Sequence, residues 1–173
     1  MTMMTMATIY TQQFATPFGT MAIAVDEADV LRYLSLNGEI PQISNAPVIA
    51  DSKRCDEAVK QLGEYFRQER YRFDLPLAPQ GTAFQQTVWT ALQTIPYGTT
   101  ISYRELAERI GNPAAVRAVG RANATNPIAI IIPCHRVIGA DGTLIGYGGG
   151  LELKEQLLKL EGAAVHVQQR LML

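Results

Sequence analysis

A Pro/Gly segment at residues 79–81 separates two parts of the chain that have different hydrophobic patterns. Residues before it form short runs of β-branched and aromatic side chains bounded by polar turns, which is typical of β-strands. Residues after it place apolar side chains three and four positions apart, which is the period of an amphipathic helix. We therefore expect an α+β protein with a small N-terminal β-sheet/helix domain over residues 1–80 and a mostly helical domain over residues 81–173.

The N-terminal part predicts a hairpin, a helix and a short strand. Residues 20–25 and 30–36 are two β-forming runs joined by the polar turn "DEAD", which indicates an antiparallel pair. Residues 55–67 have apolar side chains at helical spacing, and residues 71–77 resemble a short strand that leads into the linker.

The C-terminal part predicts a helix at each of its ends. Thr82 and Gln85 form a capping-box pattern in front of a helix over residues 83–94. The last helix, over residues 151–161, has leucines on one face and a carboxylate, Glu161, at its C-terminal end. The helix macrodipole disfavours a negative charge there, so the position of Glu161 calls for another reason.

A helix-turn-helix is predicted between these two ends. Ser102 and Glu105 form a second capping-box pattern, and Gly111 ends the helix that follows. Asn112 caps a second helix, and Pro113 occupies its first turn. Two helices joined by a short Gly-containing turn are typical of helix-turn-helix proteins, and we expect a winged-helix-like arrangement.

The second helix of this pair has two interpretations. Arg117 and Arg121 project one turn apart from a helix whose other side chains are mostly small. Such a helix packs closely in a protein core with its arginines in solvent, or it enters a nucleic-acid groove, where the arginines contact phosphates or act as a wedge. The small residues are Ala114, Ala115, Ala118, Gly120, Ala122 and Ala124.

Charge and cysteine content restrict the class of protein. The formal net charge is -1, so a nucleic-acid partner must bind to a local basic patch rather than to a global field. Residues 82–150 are mildly basic, with 5 arginines against 3 acidic residues. Two distant cysteines do not make a disulfide framework, and no apolar stretch reaches the roughly 18 residues of a membrane span, so we expect a cytoplasmic protein with no membrane partner.

The segment "IAIIIPCHRVIGADG" runs from aliphatic residues directly into Cys134 and His135. A lone cysteine is most often a structural core residue. The adjacent imidazole favours another interpretation, an activated thiol nucleophile. Neighbouring residues on a strand point to opposite faces, so a cooperating pair must lie on a turn or a helix start, where the thiol pKa falls below its free value of about 8.5.

A nucleophile of this kind needs a third group that orients the imidazole. The candidates are Asp141, Glu152, Glu155 and Glu161, and Glu161 is favoured because of its unfavourable position at a helix end. His166 is the only other histidine, so no His/Cys cluster has metal-ligand spacing, and we expect neither a metal nor a cofactor.

These motifs resemble one family over essentially the whole of residues 81–162. The segments are "GTAFQQTVW", "IPYGTTISYRELA", "GNPAAVRAVGRANATNPIAIIIPCHRVIG" and "GYGGGLELKEQLLKLEG". In them the chain resembles the O6-alkylguanine-DNA alkyltransferases, also called methylated-DNA–protein-cysteine methyltransferases. The resemblance implies a DNA-repair protein that transfers the alkyl group of O6-alkylguanine in duplex DNA irreversibly to its own cysteine, with O4-alkylthymine as a further candidate substrate.

The resemblance also implies roles for individual residues. Cys134 would take the alkyl group, His135 would activate the thiol through a water molecule, and Glu161 would orient the imidazole. Tyr103 would donate a hydrogen bond to the guanine ring, and Asn126 would brace the active-site turn.

Binding to DNA would use the minor groove, with the target nucleotide flipped out of the duplex. Arg117 would fill the space that this nucleotide leaves. Many family members have a serine where this chain has Gly148. Base-edge contacts would come from Val137, Tyr147, Gly148 and the backbone of Cys134, and DNA contacts from Thr82, Ser102, Arg117, Ala118 and Arg121. The resemblance further suggests a monomer, and no zinc site is expected in the N-terminal domain.

Two other function classes stay open at this point. An alkyltransferase-like protein binds lesions without transfer, but such proteins replace the cysteine that is present here as Cys134. A Cys-His-Glu hydrolase would use the same kinds of residue and would turn over many times.

Overall fold

The computed structural model describes residues 7–41 and 45–164, so His166 lies outside the described part. The chain divides into two compact units. The N-terminal unit is the chain up to Gln80 together with Pro127–Ala129, and the C-terminal unit is Gly81–Asn126 together with the chain from Ile130 onward. In the described residues, no helix combines the length and the apolar character needed to cross a membrane.

The N-terminal unit contains a sheet and one helix. The sheet order is β3-β2-β1-β4, in which β1–β2 and β2–β3 are antiparallel and β1–β4 is parallel. The elements are β1 (Ile9–Thr16), β2 (Gly19–Val25), β3 (Leu31–Ser35), β4 (Val48–Ala50) and α1 (Ser52–Phe66). The antiparallel pair β2–β3 confirms the predicted hairpin, whereas β1 was not predicted because its polar residues hide the strand pattern.

The helix α1 begins three residues earlier than the sequence indicated. The Asp51 side chain accepts hydrogen bonds from the backbone amides of Lys53 and Arg54, which caps the first turn. The strand predicted over residues 71–77 is wrong, because only an isolated bridge joins Leu77 to Leu31. Pro76 contributes its carbonyl to the Leu31 amide at 2.9 Å but has no amide hydrogen with which to continue a ladder.

The C-terminal unit is mostly helical, and two very short strands pair in parallel within it. Its helices are α2 (Ala83–Leu92), α3 (Tyr103–Arg109), α4 (Val116–Ala124) and α5 (Leu151–Leu160). The strands are β5 (Ile101–Ser102) and β6 (Val137–Ile138), and a 3-10 turn spans Cys134–Arg136. The protein is therefore an α+β protein with a small sheet, as predicted.

The predicted capping box at the start of α2 is confirmed. The Thr82 side chain accepts from the Gln85 amide, and the Gln85 side chain accepts from the Thr82 amide. The buried indole of Trp89 donates to the Ala122 carbonyl at 2.8 Å, which ties α2 to α4. A Cβ atom at Gly81 would clash with the Trp89 ring, so the linker needs a glycine where the indole packs.

The helices α3 and α4 pack together as the two helices of the predicted helix-turn-helix. Ser102 caps α3 by accepting from the Glu105 amide at 3.0 Å, but the Glu105 carboxylate pairs with Arg109 and leaves the box half formed. The predicted start of α4 is wrong. Residues 112–115 form a turn closed by a hydrogen bond from the Ala115 amide to the Asn112 carbonyl, with Pro113 at the turn position that its ring favours. The helix begins only at Val116.

Candidate active site

The buried turn that carries Cys134 follows the aliphatic run of the C-terminal unit. Ile130 and Ile132 are fully buried, and Pro133 precedes the 3-10 turn, which the Arg136 amide closes by donating to the Pro133 carbonyl at 3.0 Å. Ile130 has a φ of 68, a left-handed value that is strained for a β-branched residue by about 1–3 kcal/mol. The backbone is thus locally strained at Ile130, just before the turn that carries Cys134.

Two asparagines hold this turn, one in the last turn of α4 and one just after that helix. The Asn126 side chain donates to the Ile132 carbonyl at 2.7 Å, and the Asn123 side chain donates to the Cys134 carbonyl at 3.4 Å. Cys134 itself is only 5% exposed. The sequence predicted the bracing position of Asn126 through the family resemblance, but Asn123 was missed.

A buried cluster of three side chains lies next to the cysteine in the chain. His135 Nε2 is 2.6 Å from Glu161 Oε2, and neither side chain is accessible to solvent. Arg136 donates to both carboxylate oxygens, at 2.7 and 3.1 Å, and to the Ile95 carbonyl at 2.7 Å. Glu161 therefore contacts the imidazole, as the sequence favoured, and the contact explains a carboxylate at the end of α5.

The other candidate carboxylates are engaged elsewhere. Asp141 accepts from the Thr143 hydroxyl at 2.7 Å, and Glu155 pairs with Lys159 at 2.8 Å. Glu152 lies in the first turn of α5, at the opposite end of that helix from Glu161.

The "IPYG" turn supports Glu161 from the other side. The Gly98 amide donates to Glu161 Oε1 at 3.3 Å, and the Tyr97 hydroxyl donates to the Leu160 carbonyl at 3.3 Å. Gly98 has a φ of +76, and a Cβ atom there would lie 2.9 Å from the Glu161 carbonyl oxygen. A glycine is required because both the backbone angle and the close approach exclude a side chain.

The charges of this cluster set its protonation. Burial raises the pKa of Glu161, but hydrogen bonds and charges from His135 and Arg136 outweigh burial and hold it below its ordinary value. Burial lowers the pKa of His135 below its usual 6.5, and the Glu161 carboxylate only partly opposes this effect. The cluster is therefore a carboxylate, a guanidinium and a neutral imidazole near neutral pH.

The free nitrogen of this imidazole points to its chemistry. Because Nε2 faces the carboxylate, it carries the hydrogen, and Nδ1 is left as an acceptor. Among the residues that the structure describes, His135 Nδ1 is buried and has no hydrogen-bond partner. A neutral imidazole whose Nε2–H donates to a carboxylate and whose Nδ1 lone pair has no partner can act as a general base.

The thiol of Cys134 is less acidic than the sequence predicted. Burial raises its pKa above the ordinary value, and this effect exceeds the lowering by the Asn126 amide, by Lys154 and by nearby backbone amides. The predicted lowering is wrong because the turn lies in the core, where a charged thiolate loses its hydration. The surrounding donors still identify which groups would stabilise the thiolate once it forms.

Lys154 is a further member of the site that the sequence analysis missed. Its side chain is fully buried, and its Nζ atom donates to the Ile145 and Gly146 carbonyls at 2.9 and 3.4 Å. Burial lowers its pKa to about 8, and the charge of Cys134 as a thiolate acts in the opposite direction. The signal was the spacing of this lysine, which lies three and four positions before Leu157 and Leu158 and so shares their buried face of α5.

The residues predicted to contact a base lie around this turn. The Tyr103 hydroxyl donates to the Ile145 carbonyl at 3.1 Å, and Val137 is buried on β6. Tyr147 has a buried hydroxyl without a hydrogen-bond partner in the described part of the chain. A Cβ atom at Gly148 would meet nothing within 4 Å, so the space beside this residue is open.

The predicted DNA-binding residues lie on the helix-turn-helix and on α2. Arg117 and Arg121 are exposed on α4, and Ala118 between them is half-buried. Thr82 and Ser102 use their hydroxyl oxygens as N-caps of α2 and α3. No group of three or more His, Cys, Asp or Glu residues within 7–41 and 45–164 could hold a metal ion.

The chain is similar to known proteins in both sequence and structure. A sequence model of the 6-O-methylguanine DNA methyltransferase DNA-binding domain matches residues 83–163. The methylated-DNA–protein-cysteine methyltransferase of Methanosarcina acetivorans is 49% identical over 160 residues, which cover 90% of this chain and 99% of that protein. The protein of the same name from Mycobacterium leprae is 49% identical over 153 residues, which cover 88% of this chain and 92% of its own.

Solved structures agree with the sequence comparison. Mycobacterium tuberculosis OGT, crystallised in complex with DNA, has a TM-score of 0.81 at 48% identity, with 88% of this chain and 92% of that chain covered. A crystal structure of Mycobacterium tuberculosis O6-methylguanine methyltransferase has a TM-score of 0.80 at 44% identity, with 92% and 96% covered. The similarity thus extends over both units of the chain.

Proposed function

The chain belongs to the family of methylated-DNA–protein-cysteine methyltransferases. We propose that it repairs duplex DNA by removing the alkyl group of O6-alkylguanine. The thiolate of Cys134 attacks the alkyl carbon, a carbon–sulfur bond forms, and the bond between that carbon and O6 breaks. Guanine leaves with the electron pair as an anion and is restored when it takes up one proton, which balances the proton lost by the thiol. The thioether is stable, so each protein molecule acts once.

One observation carries this proposal: the imidazole next to the buried Cys134 has one nitrogen anchored and the other unused. Nε2 of His135 is held by Glu161 at 2.6 Å, while Nδ1 has no partner in the described chain. We propose that a water molecule joins Nδ1 to the thiol and carries its proton to the imidazole. The imidazolium formed in this step is stabilised by the Glu161 carboxylate.

The raised pKa of the Cys134 thiol fits a site that is activated only when it is needed. In the free protein, burial keeps the sulfur protonated and protects it from other electrophiles. During transfer, the thiolate is stabilised by the Asn126 amide and by the Lys154 ammonium. Negative charge that develops on the leaving guanine is stabilised by hydrogen bonds from Tyr103 and from the Gly148 amide.

The helix α4 is proposed to enter the minor groove of DNA. A lesion inside a duplex is not accessible to a buried thiol, so the nucleotide must be flipped out at a cost of a few kcal/mol. Arg117 on the exposed face of α4 fills the vacated space and stacks on the neighbouring bases. Ala118, which is half-buried, permits close approach to the groove, and Arg121 contacts a phosphate.

Further DNA contacts come from the helix N-termini of α2 and α3. Thr82 and Ser102 are their N-caps, and the N-terminus of a helix favours an anion such as phosphate.

The pair β5–β6 would be the counterpart of the wing in the predicted winged-helix arrangement. We propose that the protein binds DNA as a monomer.

The flipped base is proposed to be read by backbone and side chain groups around the turn. The carbonyls of Cys134 and Val137 accept from the exocyclic amine of guanine. The Tyr103 hydroxyl donates to a ring nitrogen, and the segment formed by Tyr147 and Gly148 lies beside O6. These contacts select guanine over other bases and place its alkyl carbon next to the sulfur of Cys134.

Incubation with duplex DNA that carries labelled O6-methylguanine tests the function. The proposal predicts one label per protein molecule, attached to Cys134, and no further release of product. Many equivalents of product would indicate a hydrolase, and tight binding without label transfer would indicate a lesion-binding module.

A further inference from the structure

Asn123 is a buried polar residue that has no role in the reaction steps proposed above. It lies near the end of α4, is 4% exposed, and its Nδ2 atom is 3.4 Å from the Cys134 carbonyl oxygen. Because a carbonyl only accepts hydrogen bonds, this contact fixes which end of the amide faces the turn. Oδ1 is then left buried and without a hydrogen-bond partner among the described residues.

An amide in this position is costly compared with an apolar side chain of similar shape. Burying an acceptor that has no partner destabilises the folded state, whereas a leucine would avoid the penalty. A residue that lowers stability in this way at the edge of a reactive site calls for a functional reason.

Tyr103 lies against the same part of α4. A Cβ atom at Gly120, one turn before Asn123, would be 3.9 Å from the Tyr103 ring. Burial raises the pKa of Tyr103, and a hydrogen bond from the Asn123 side chain acts in the opposite direction. The Asn123 amide thus contacts the Cys134 carbonyl and lies close enough to the Tyr103 hydroxyl to influence its pKa.

We propose that Asn123 is a positioning residue that holds these two groups in register for the flipped base, an inference that rests on the proposed function. One N–H of its amide fixes the Cys134 carbonyl, which also accepts from the Val137 amide and lies where the guanine amine is proposed to approach. The second N–H donates to the Tyr103 oxygen and makes that hydroxyl a stronger donor to the base, because hydrogen bonds in a chain polarise one another. Because both N–H groups are directed at these two oxygens, the orientation of the amide is fixed. Oδ1 therefore lies on the side where no donor is available.

The hydroxyl of Tyr103 is free to turn toward a base without leaving a buried group unsatisfied. In this structure it donates to the Ile145 carbonyl at 3.1 Å, and the same carbonyl also accepts from Lys154 at 2.9 Å. When the Tyr103 hydroxyl turns toward the base, the Ile145 carbonyl still accepts a hydrogen bond from the Lys154 ammonium. The Asn123 amide keeps the phenol oxygen in place during this exchange.

A double-mutant cycle with Tyr103 tests this role. Asn123→Leu should slow alkyl transfer from duplex DNA about tenfold, or ~1.4 kcal/mol in the barrier, in the protein that retains Tyr103. In the Tyr103→Phe background the same change should slow transfer less than about twofold, because two residues that act through one contact are not additive. Gln93→Leu, which removes an exposed amide at the end of α2, should change neither rate.

Equal slowing by Asn123→Leu in both backgrounds, or no slowing in either, would overturn the proposal and indicate a packing role. A second measurement does not depend on activity: the Cζ chemical shift of Tyr103 in NMR should change in Asn123→Leu and not in Gln93→Leu. If the wild-type protein transferred no label but this shift changed, the proposed function would fail while the hydrogen bond would stand. An unchanged shift would refute the contact itself.

Discussion

Arg136 and Glu161 form a two-point ion pair inside the C-terminal unit, with Nε 2.7 Å from Oε1 and Nη2 3.1 Å from Oε2. The same carboxylate contacts His135, so one acidic group serves both a structural cation and the imidazole of the site. Any change at Glu161 therefore has two consequences, one for stability and one for the acidity of the thiol.

Glu161→Gln should lower both stability and thiol reactivity. Removing one partner of a buried ion pair leaves Arg136 uncompensated, at a cost of about 3–5 kcal/mol. The imidazole also loses its carboxylate, becomes a weaker base, and the apparent pKa of the Cys134 thiol rises. Thermal unfolding measures the first effect, and the pH dependence of iodoacetamide labelling measures the second.

The double variant Glu161→Gln/Arg136→Met separates these two effects. An apolar side chain in place of the guanidinium removes the unpaired charge, so much of the lost stability should return. Thiol reactivity should stay low because the carboxylate is still absent. If reactivity returned together with stability, the role of Glu161 would be structural only.

Cys134→Ala should abolish transfer and leave binding to lesion-containing DNA intact, because the proposed groove contacts lie on other elements. Cys55→Ser is the matched control, since Cys55 is also buried and its pKa is raised by burial to about 11. This second change should leave transfer unchanged. Peptide mapping after reaction decides the matter, and an alkyl group found on Cys55 would contradict the assignment.

Arg117→Ala should slow repair of duplex DNA far more than reaction with free O6-benzylguanine, because a free base needs no extrusion. Arg121→Ala, one turn along the exposed face of α4, should weaken DNA binding and reduce the dependence of affinity on salt by about one phosphate contact. Single-turnover rates on both substrates measure the difference. Equal slowing by Arg117→Ala on the two substrates would exclude the wedge role.

Lys154→Met should slow transfer roughly tenfold at neutral pH, since each pKa unit of lost thiolate stabilisation corresponds to about 1.4 kcal/mol. Burial lowers the pKa of Lys154 to about 8, so its ammonium supports the thiolate below that pH and progressively less above it. The wild-type advantage over Lys154→Met should therefore shrink as pH rises through about 8. Lys159→Met, an exposed lysine on the same helix, is the control and should match wild type at every pH.

Gly148 should allow bulky alkyl groups into the site, because a Cβ atom there meets nothing within 4 Å. Benzyl and butyl adducts should react within about tenfold of methyl, which is a barrier difference of ~1.4 kcal/mol. Gly148→Ser should fold normally and disfavour the larger groups. Competition between oligonucleotides measures the ratio, and a wild-type preference for methyl of about a thousandfold, or ~4 kcal/mol, would refute the open site.

The sequence predicted those features that depend on residues a few positions apart. Thr82 caps α2, as its spacing from Gln85 indicated, and the hairpin β2–β3 follows from two β-forming runs and a polar turn. The adjacency of Cys134 and His135 required a turn, and the 3-10 turn is there. Local hydrogen bonds and side-chain periodicity decide these features, so the order of residues is sufficient to predict them.

Only the tertiary structure decided what surrounds the thiol. His135 and Glu161 are 26 positions apart, and four carboxylates were candidates until packing brought one of them to the imidazole. Arg136 and Asn123 had no predicted role, because no linear pattern shows that these polar side chains will be buried. For Lys154, the only signal was its spacing from the leucines of α5. The predicted lowering of the thiol pKa failed for the same reason. A pKa depends on the loss of hydration and on charges that the fold brings together from distant parts of the chain.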